Sequence, residues 1–339
     1  MKPRAQSRGS RAVAVGLILI ALSLAVVLIS LVTGTIRLSP LAVLQTLFGY
    51  GTPDDGLVLF EYRLPRILVT MLAGLGLGLS GAILQGLSRN ALADPGILGL
   101  HAGAAFGLIV FVSFFQTMKG PAALLIPLFT FTGGVLTAVL IVLLAYDRHK
   151  GVIPVRLLLT GIAIAAGFSA VSLFLSLRLD ETTYSFTSRW LAGSVWGRDW
   201  IHVLALLPWI ALLAPYTFTQ ARALDVFAFG DDVAVGIGSP VRRKRLLLLA
   251  AAVALSSASV SMAGGIGFIG LVAPQLARRL VGPMHRHLLP IAGLIGVVIL
   301  VVSDTIGRSV FQPNAIPAGV IVASIGAPYF LYLLAKTKS

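Results

Sequence analysis

Long runs without a charged side chain, Asp304 alone excepted, separated by short polar and mostly basic turns, set the rhythm of the chain. They occupy 12–36, 67–87, 96–118, 121–146, 157–177, 200–217, 246–277, 288–307 and 316–335. These runs are apolar on every face, as a helix surrounded by lipid must be and a soluble core helix need not be. Crossing a bilayer takes about 20 apolar residues in one helix. The run 246–277 is too long for one crossing and is broken by Gly264, Gly265, Gly267, Gly270 and Pro274. It reads as a full span, 246–263, followed by a short one, 266–277. The pattern therefore predicts an all-α membrane protein of ten spans.

The segment from Arg63 to Phe106 carries the most local information. A basic turn, Arg63-Leu64-Pro65-Arg66, precedes an uncharged stretch with glycines at 74, 76, 78 and 81. A polar loop, Arg89-Asn90-Ala91-Leu92-Ala93-Asp94-Pro95, then interrupts before the next run begins at Gly96. Gly74 and Gly78, and likewise Gly103 and Gly107, sit one turn apart and allow helices to approach closely. Irregular polar backbone at membrane depth is tolerated where protein or a water-filled cavity surrounds it. A gate and a plain turn are both compatible with this loop.

Composition fixes the class. Hydrophobic residues make up 57% and charged residues 11%, with a mean hydropathy of +0.96. A soluble domain carries about 25% charged residues. The absence of cysteine excludes disulfides, thiolate metal sites and thiol nucleophiles. The net charge of +14 would suggest nucleic acid, but its distribution argues for membrane orientation instead. With ten spans both termini share a side. Placing them inside puts eighteen of the 26 lysines and arginines in inner segments, as the positive-inside rule favours. The first run follows a basic stretch, is about 25 residues long, and lacks a small-residue cleavage site, so it reads as a retained span. The chain reads as one permease-sized domain, 1–339, with an inner tail 1–11, outer loops 37–62 and 178–199, and an inner loop 218–245. That inner loop is long enough to fold, and it holds a short amphipathic stretch, 225–238, ended by glycines.

Catalysis finds little support. The five histidines at 101, 149, 202, 285 and 287 form no HExxH motif and no ligand cluster, and no Gly-Lys pair exists to build a phosphate-binding loop. No catalytic residue, metal ligand or cofactor site is expected, and ATP hydrolysis is not expected in this chain. Three features resist a bland reading. Arg63 and Arg66 stand where a helix N-terminus and the outer side both disfavour cations; an acidic partner and lipid phosphate each explain them. Asp304 and Arg308 lie four residues apart on one helical face, as a structural pair or with Asp304 as an ion-coupling carboxylate. The third is the Arg89–Pro95 loop. A fainter echo links Gly81-Ala82-Ile83-Leu84-Gln85 with Gly270-Leu271-Val272-Ala273-Pro274-Gln275.

Taken in order, these residues resemble the FecCD family, the membrane permeases of ABC importers for iron-siderophores, haem and vitamin B12. The resemblance covers roughly 15–335. It rests on Arg63-Leu64-Pro65-Arg66; Ser80-Gly81 through Gln85; Arg89 to Pro95 with Leu98-Gly99; Gly230-Asp231 with Ala234 and Gly238; Gly265-Ile266-Gly267 through Pro274; Asp304 to Arg308; and Ile316-Pro317-Ala318-Gly319 with Gly326-Ala327-Pro328. It implies a type II ABC importer permease fold, with ten helices per subunit and a path at a dimer interface. It implies docking of an extracytoplasmic substrate-binding protein at Arg63, Arg66 and Arg308. It places a cytoplasmic gate at Asn90 and Leu92, and another near Pro154 and Val155. It also places Phe229, Gly230, Asp231, Ala234 and Gly238 in a groove of an ABC ATPase subunit.

Two departures stand out. The family commonly has Asn-Pro-Leu where this chain has Asn90-Ala91-Leu92, and Pro-His where it has Pro274-Gln275. The resulting expectation is a multi-pass cell-membrane subunit with both termini cytoplasmic, importing an iron-siderophore, by preference of the hydroxamate type. A haem or vitamin B12 permease, an ion-coupled secondary transporter and a membrane enzyme are the competing readings. Expected partners are an ATPase dimer, the binding protein, a second identical or paralogous permease subunit, and lipid, with no nucleic acid.

Overall fold

The computed structural model describes residues 8–34, 36, 38–115, 122–147, 151–236, 238, 240–311 and 315–337. Most of the tail 1–11, and the basic residues at 37, 119, 148, 150 and 338 used in the charge argument, lie outside the described residues. In chain order the elements are α1 (Arg8–Val32), α2 (Pro40–Leu47), α3 (Pro53–Gly56), a π-helical segment (Leu57–Arg63), α4 (Leu64–Ser88), α5 (Leu100–Phe114) and α6 (Ala122–Ala145). A two-stranded hairpin follows, β1 (Tyr146–Asp147) antiparallel to β2 (Gly151–Val152). The rest are α7 (Pro154–Ser176), α8 (Glu181–Leu191), α9 (Trp200–Thr219), α10 (Ala221–Ala228), α11 (Asp231–Gly236), α12 (Val241–Ala263), α13 (Ile269–Val281), α14 (His285–Ser309) and α15 (Ala318–Thr337).

Seven helical stretches among the described residues are long and apolar enough to cross a membrane, and two shorter apolar helices, Leu100–Phe114 and Ala318–Tyr332, accompany them. These nine match expected spans in position; the tenth, 266–277, coincides with α13, a shorter helix with Arg278 and Arg279 in its last turn. α5 is shorter than its run of 96–118 because the polar loop consumes residues up to Gly99. The loops 37–62 and 178–199, expected on the outer side, hold more helix than expected. They hold α2, α3 and α8, whose N-caps Ser39, Thr52 and Asp180 accept from backbone N–H groups in the first turn.

Arg63 and Arg66 do not stand at a helix N-terminus, because the chain is helical from Pro53 through Ser88. Pro65 cannot donate to the ladder of a continuous α-helix, and the widened π turn ending at Arg63 accommodates it.

Close backbone contact holds the centre together. A Cβ at Gly74 would meet the Gly296 carbonyl oxygen at 2.5 Å, and one at Gly78 would meet that of Ala292 at 2.5 Å. The reversed order shows that α4 and α14 run antiparallel. Gly81 crosses Gly270 of α13, so the two halves of the sequence echo touch. The same device joins α5 to α6, where Gly107 lies against Phe129 and Gly103 against Gly133 and Thr137. α1 and α7, by contrast, are mostly exposed along their apolar faces.

A Cβ on Gly81 would lie 1.9 Å from the Gly270 carbonyl oxygen. Gly81→Val should therefore separate α4 from α13 and cost more than the about 1–3 kcal/mol of ordinary overpacking, because backbone cannot yield as a side chain does. Gly167→Val, in open space on α7, serves as the control. Thermal unfolding in detergent should show a large drop for the first and little change for the second.

Candidate functional site

α4 is 25 residues long, about 37 Å at 1.5 Å per residue, so its ends lie on opposite sides of the bundle. At the Leu64 end, four arginines gather. Arg63 is 6% exposed and donates through Nη1 to the Leu31 carbonyl and through Nη2 to that of Ile36. Arg308 donates to the Thr33 carbonyl at 2.7 Å, to the Ser30 hydroxyl at 2.5 Å, and to the Ser30 carbonyl. Both guanidiniums thus cap the C-terminus of α1, whose last carbonyls have no partner within the helix and carry its negative dipole end. Gly34, at φ +153°, makes room for them, since a Cβ there would lie 2.9 Å from Arg308 Nη1.

Arg66 is the bidentate partner of Asp304, with Nε 3.0 Å from Oδ2 and Nη2 2.6 Å from Oδ1. Arg308 Nε stands 3.7 Å from the same carboxylate. The intrahelical pair expected from sequence exists, but the hydrogen-bonded partner of Asp304 comes from α4. Arg198 completes the group. It donates from Nε to the Met262 carbonyl at 2.6 Å and sits 3.1 Å from His202 Nε2. Burial lowers its pKa to about 10, against the pull of Asp199. The four arginines line a cleft of about 580 Å³ together with Glu61 and Asp199.

At the other end, α4 closes on Arg89 in the left-handed region at φ +52°. Asn90 Oδ1 accepts from the Leu92 N–H at 2.9 Å, and Asp94 Oδ2 from that of Gly96 at 2.8 Å. Two successive side-chain turns of this kind shape the polar loop. Asn90 and Leu92 are half-buried and Ala91 is exposed. Gln275 Nε2 donates to the Ala91 carbonyl at 2.7 Å and to Gln85 Oε1 at 3.0 Å, while Gln85 Nε2 reaches the Leu271 carbonyl at 3.2 Å. The two departures from the family pattern are therefore bonded to each other. A carboxamide carries two N–H donors on one nitrogen, whereas an imidazole nitrogen carries one, so glutamine can serve both acceptors. Pro154 opens α7, and Val155 is exposed. The start of α7 borders the loop, as Leu157 and Leu158 line one apolar void with Ala93 and Leu98.

The segment 225–238 lies beside this loop. Gly230, at φ +108°, has Arg89 Nη1 as its neighbour. Ala234 is fully buried, while Phe229, Val233 and Val235 are 76%, 50% and 62% exposed. Phe229, at the end of α10, and Val233 and Val235, on α11, turn outward together and leave an apolar contact surface uncovered.

The model of the FecCD transport family matches residues 20–336. The chain belongs to that family. Its relatives include the iron(3+)-hydroxamate import system permease protein FhuG of Bacillus subtilis (strain 168), 44% identical over 91% of this chain and 93% of that protein. Another is the Fe(3+) dicitrate transport system permease protein FecD of Escherichia coli (strain K12), 38% identical over 83% of this chain and 86% of that one. A solved structure described as an inward-facing conformation of a metal-chelate type ABC transporter is 30% identical, with a TM-score of 0.83, covering 95% of this chain and 99% of that one. As a FecCD protein the chain is a multi-pass transport permease with the ABC importer permease fold.

Sequence reasoning singled out the ends of α4 and the 225–238 segment as candidates. It missed Arg198, the Gln85–Gln275 pair, and the capping of α1. That last had a signal: α1 ends at Val32 with no basic residue in its final turn, so donors had to come from elsewhere.

Two measurements probe these ends. Asp304→Ala strands Arg66 beside Arg308 and should cost about 3–5 kcal/mol; Arg66→Ala should cost less, because Arg308 remains near the carboxylate. Thermal unfolding of both variants and the double variant should show strong non-additivity.

Burial raises the Asp94 pKa from 3.8 to about 6, against backbone hydrogen bonds from Gly96 and Ile97. A carboxyl with a raised folded pKa stabilises fully below its unfolded value, and that contribution is lost as pH rises through the folded one. Stability of the wild type should therefore fall between about pH 4 and pH 6 by an amount that Asp94→Asn removes; parallel pH profiles of melting temperature would refute this.

Proposed function

We propose that this FecCD permease is the membrane subunit of an ATP-driven importer that carries an iron-siderophore inward, with hydroxamate chelates as the first class to test. The relatives support iron-chelate transport, and the 44% identity to FhuG favours the hydroxamate class. Both termini face the cytoplasm, so the Arg63 end of α4 is outer and the Asn90 end is inner. Two permease subunits, identical or paralogous, enclose the path, and their lipid-facing helices include the mostly exposed α1. The observation that carries the reading is the uncovered Phe229, Val233 and Val235 surface, set against the Asn90–Leu92 loop through Gly230 and Arg89.

In this reading an ABC ATPase dimer receives Phe229, Gly230, Asp231, Ala234 and Gly238, and its closure on ATP moves the inner loop. Asn90 and Leu92 then open or seal the inner side together with Pro154 and Val155. Arg63, Arg66 and Arg308 present the basic cleft to acidic side chains of a substrate-binding protein. The chain itself contributes binding surfaces and motion, and hydrolysis belongs to the ATPase.

Reconstitution in vesicles with the ATPase and the binding protein tests the proposal. Uptake of a ferric hydroxamate should require ATP. Uptake that persists without any ATPase and follows a proton gradient would establish the secondary-transporter alternative instead.

The outer cleft can be tested apart from its structural role. Arg66→Asp combined with Asp304→Arg exchanges the charges while keeping an ion pair. The exchanged protein should regain stability over either single variant, yet bind the substrate-binding protein more weakly, most clearly at low salt. Unchanged affinity at low salt would remove the docking assignment.

A further inference from the structure

α14 begins at His285, and its N-cap, Met284, has no side chain able to bond the first-turn N–H groups. The missing acceptor is supplied by another segment. Asp225 Oδ1, on α10, accepts from the His285 backbone N–H at 2.8 Å and from His285 Nδ1 at 2.7 Å. A carboxylate is an acceptor only, so Nδ1 carries the proton in this pair. The positive end of the α14 dipole also favours a carboxylate there. Burial works against the charged form, but the His285 donors hold the Asp225 pKa below the ordinary carboxylate value.

The histidine of the pair is closely packed, while Asp225 is partly exposed. His285 is 3% exposed. Its ring lies on Gly86 of α4, where an added Cβ would stand 2.9 Å from Nε2 and 3.1 Å from Leu224 Cδ2. Leu224 and Phe227 of α10 are fully buried, and the Arg245 guanidinium lies 5.7 Å from the Phe227 ring centre. α10 leads directly into Phe229 and Gly230. Gly86 is three residues before Arg89, at the start of the Asn90–Leu92 loop.

We propose that Asp225 and His285 form the positioning contact through which movement of the 229–238 segment is passed to α14 and to the Asn90–Leu92 loop. This rests on the reading that 229–238 docks the ATPase. A tether of two hydrogen bonds into a helix N-terminus constrains direction as well as distance. A displacement of α10 therefore shifts the start of α14, and the shift passes through Gly86 into the end of α4. Without the tether, α10 retains its apolar packing but can slide across α4 without turning it.

The test uses the whole complex in vesicles, with ATPase and binding protein, loaded with a ferric hydroxamate. For Asp225→Ala the ATPase should still co-purify and hydrolyse ATP, while chelate uptake per ATP falls about fivefold or more. Asp225→Asn keeps the acceptor oxygen and should restore uptake per ATP. The inference is overturned by undiminished uptake per ATP in Asp225→Ala, or by failure of Asp225→Asn to restore it. It is also overturned if Asp225→Ala loses the ATPase or fails to assemble, because the pair would then be merely structural. Phe229→Asp, run alongside, separates the two readings: retained ATPase binding there removes the docking assignment, whereas normal uptake in Asp225→Ala with docking intact removes only this inference.

Discussion

Backbone-to-backbone contact between α4, α14 and α13 is the constraint on which the rest depends. In lipid, apolar side chains gain little by leaving one hydrocarbon surface for another, so helix association relies on close van der Waals packing and buried polar bonds. Gly74, Gly78 and Gly81 of α4 remove the side chains that would hold the axes apart. Once α4 and α14 lie antiparallel at that distance, Arg66 must meet Asp304 at one end and Gly86 must meet His285 at the other. The position of the polar groups follows from the absence of side chains between them.

Most of this architecture was legible because the bilayer leaves few options. A chain that must satisfy every backbone group internally shows its helices as long uncharged runs, and the seven long spans and two shorter apolar helices were located that way. The glycine pairs foretold close contact, and the echo between Gly81–Gln85 and Gly270–Gln275 proved to be a physical crossing. Polar contacts across helices were harder to read, since a lone Gln85 or His285 has no spacing that names its partner. The loops 37–62 and 178–199 concealed α2, α3 and α8, although Ser39-Pro40, Thr52-Pro53 and Asp180-Glu181 are ordinary helix starts. The placement of Arg63 at a helix N-terminus was wrong because the π turn before Pro65 let the helix continue.

The arginines show how one residue set can bear two loads. Arg63 and Arg308 donate to groups at and just beyond the end of α1, and Arg66 to Asp304, yet all three border the same cleft. Burial among fixed acceptors restricts how far these guanidiniums can move toward a ligand. A partner would therefore meet a rigid pattern of charge and not a set of flexible cations. At the Asn90 end the arrangement is looser, with turns held by single side chains and an apolar surface left uncovered. The molecule is stiff where it would recognise and compliant where it would open.

The capping of α1 also bears on biogenesis. Its final carbonyls wait for Arg63 and then for Arg308, the latter 275 residues downstream of Thr33. During synthesis the first helix must enter the bilayer long before its second cap has been translated. Until then those carbonyls have water or lipid headgroups as their only other acceptable company, which keeps that end of α1 at the interface. Completion of the bundle is thus marked by a late event at its earliest element, and a chain truncated before α14 would leave its first helix seated but unfastened.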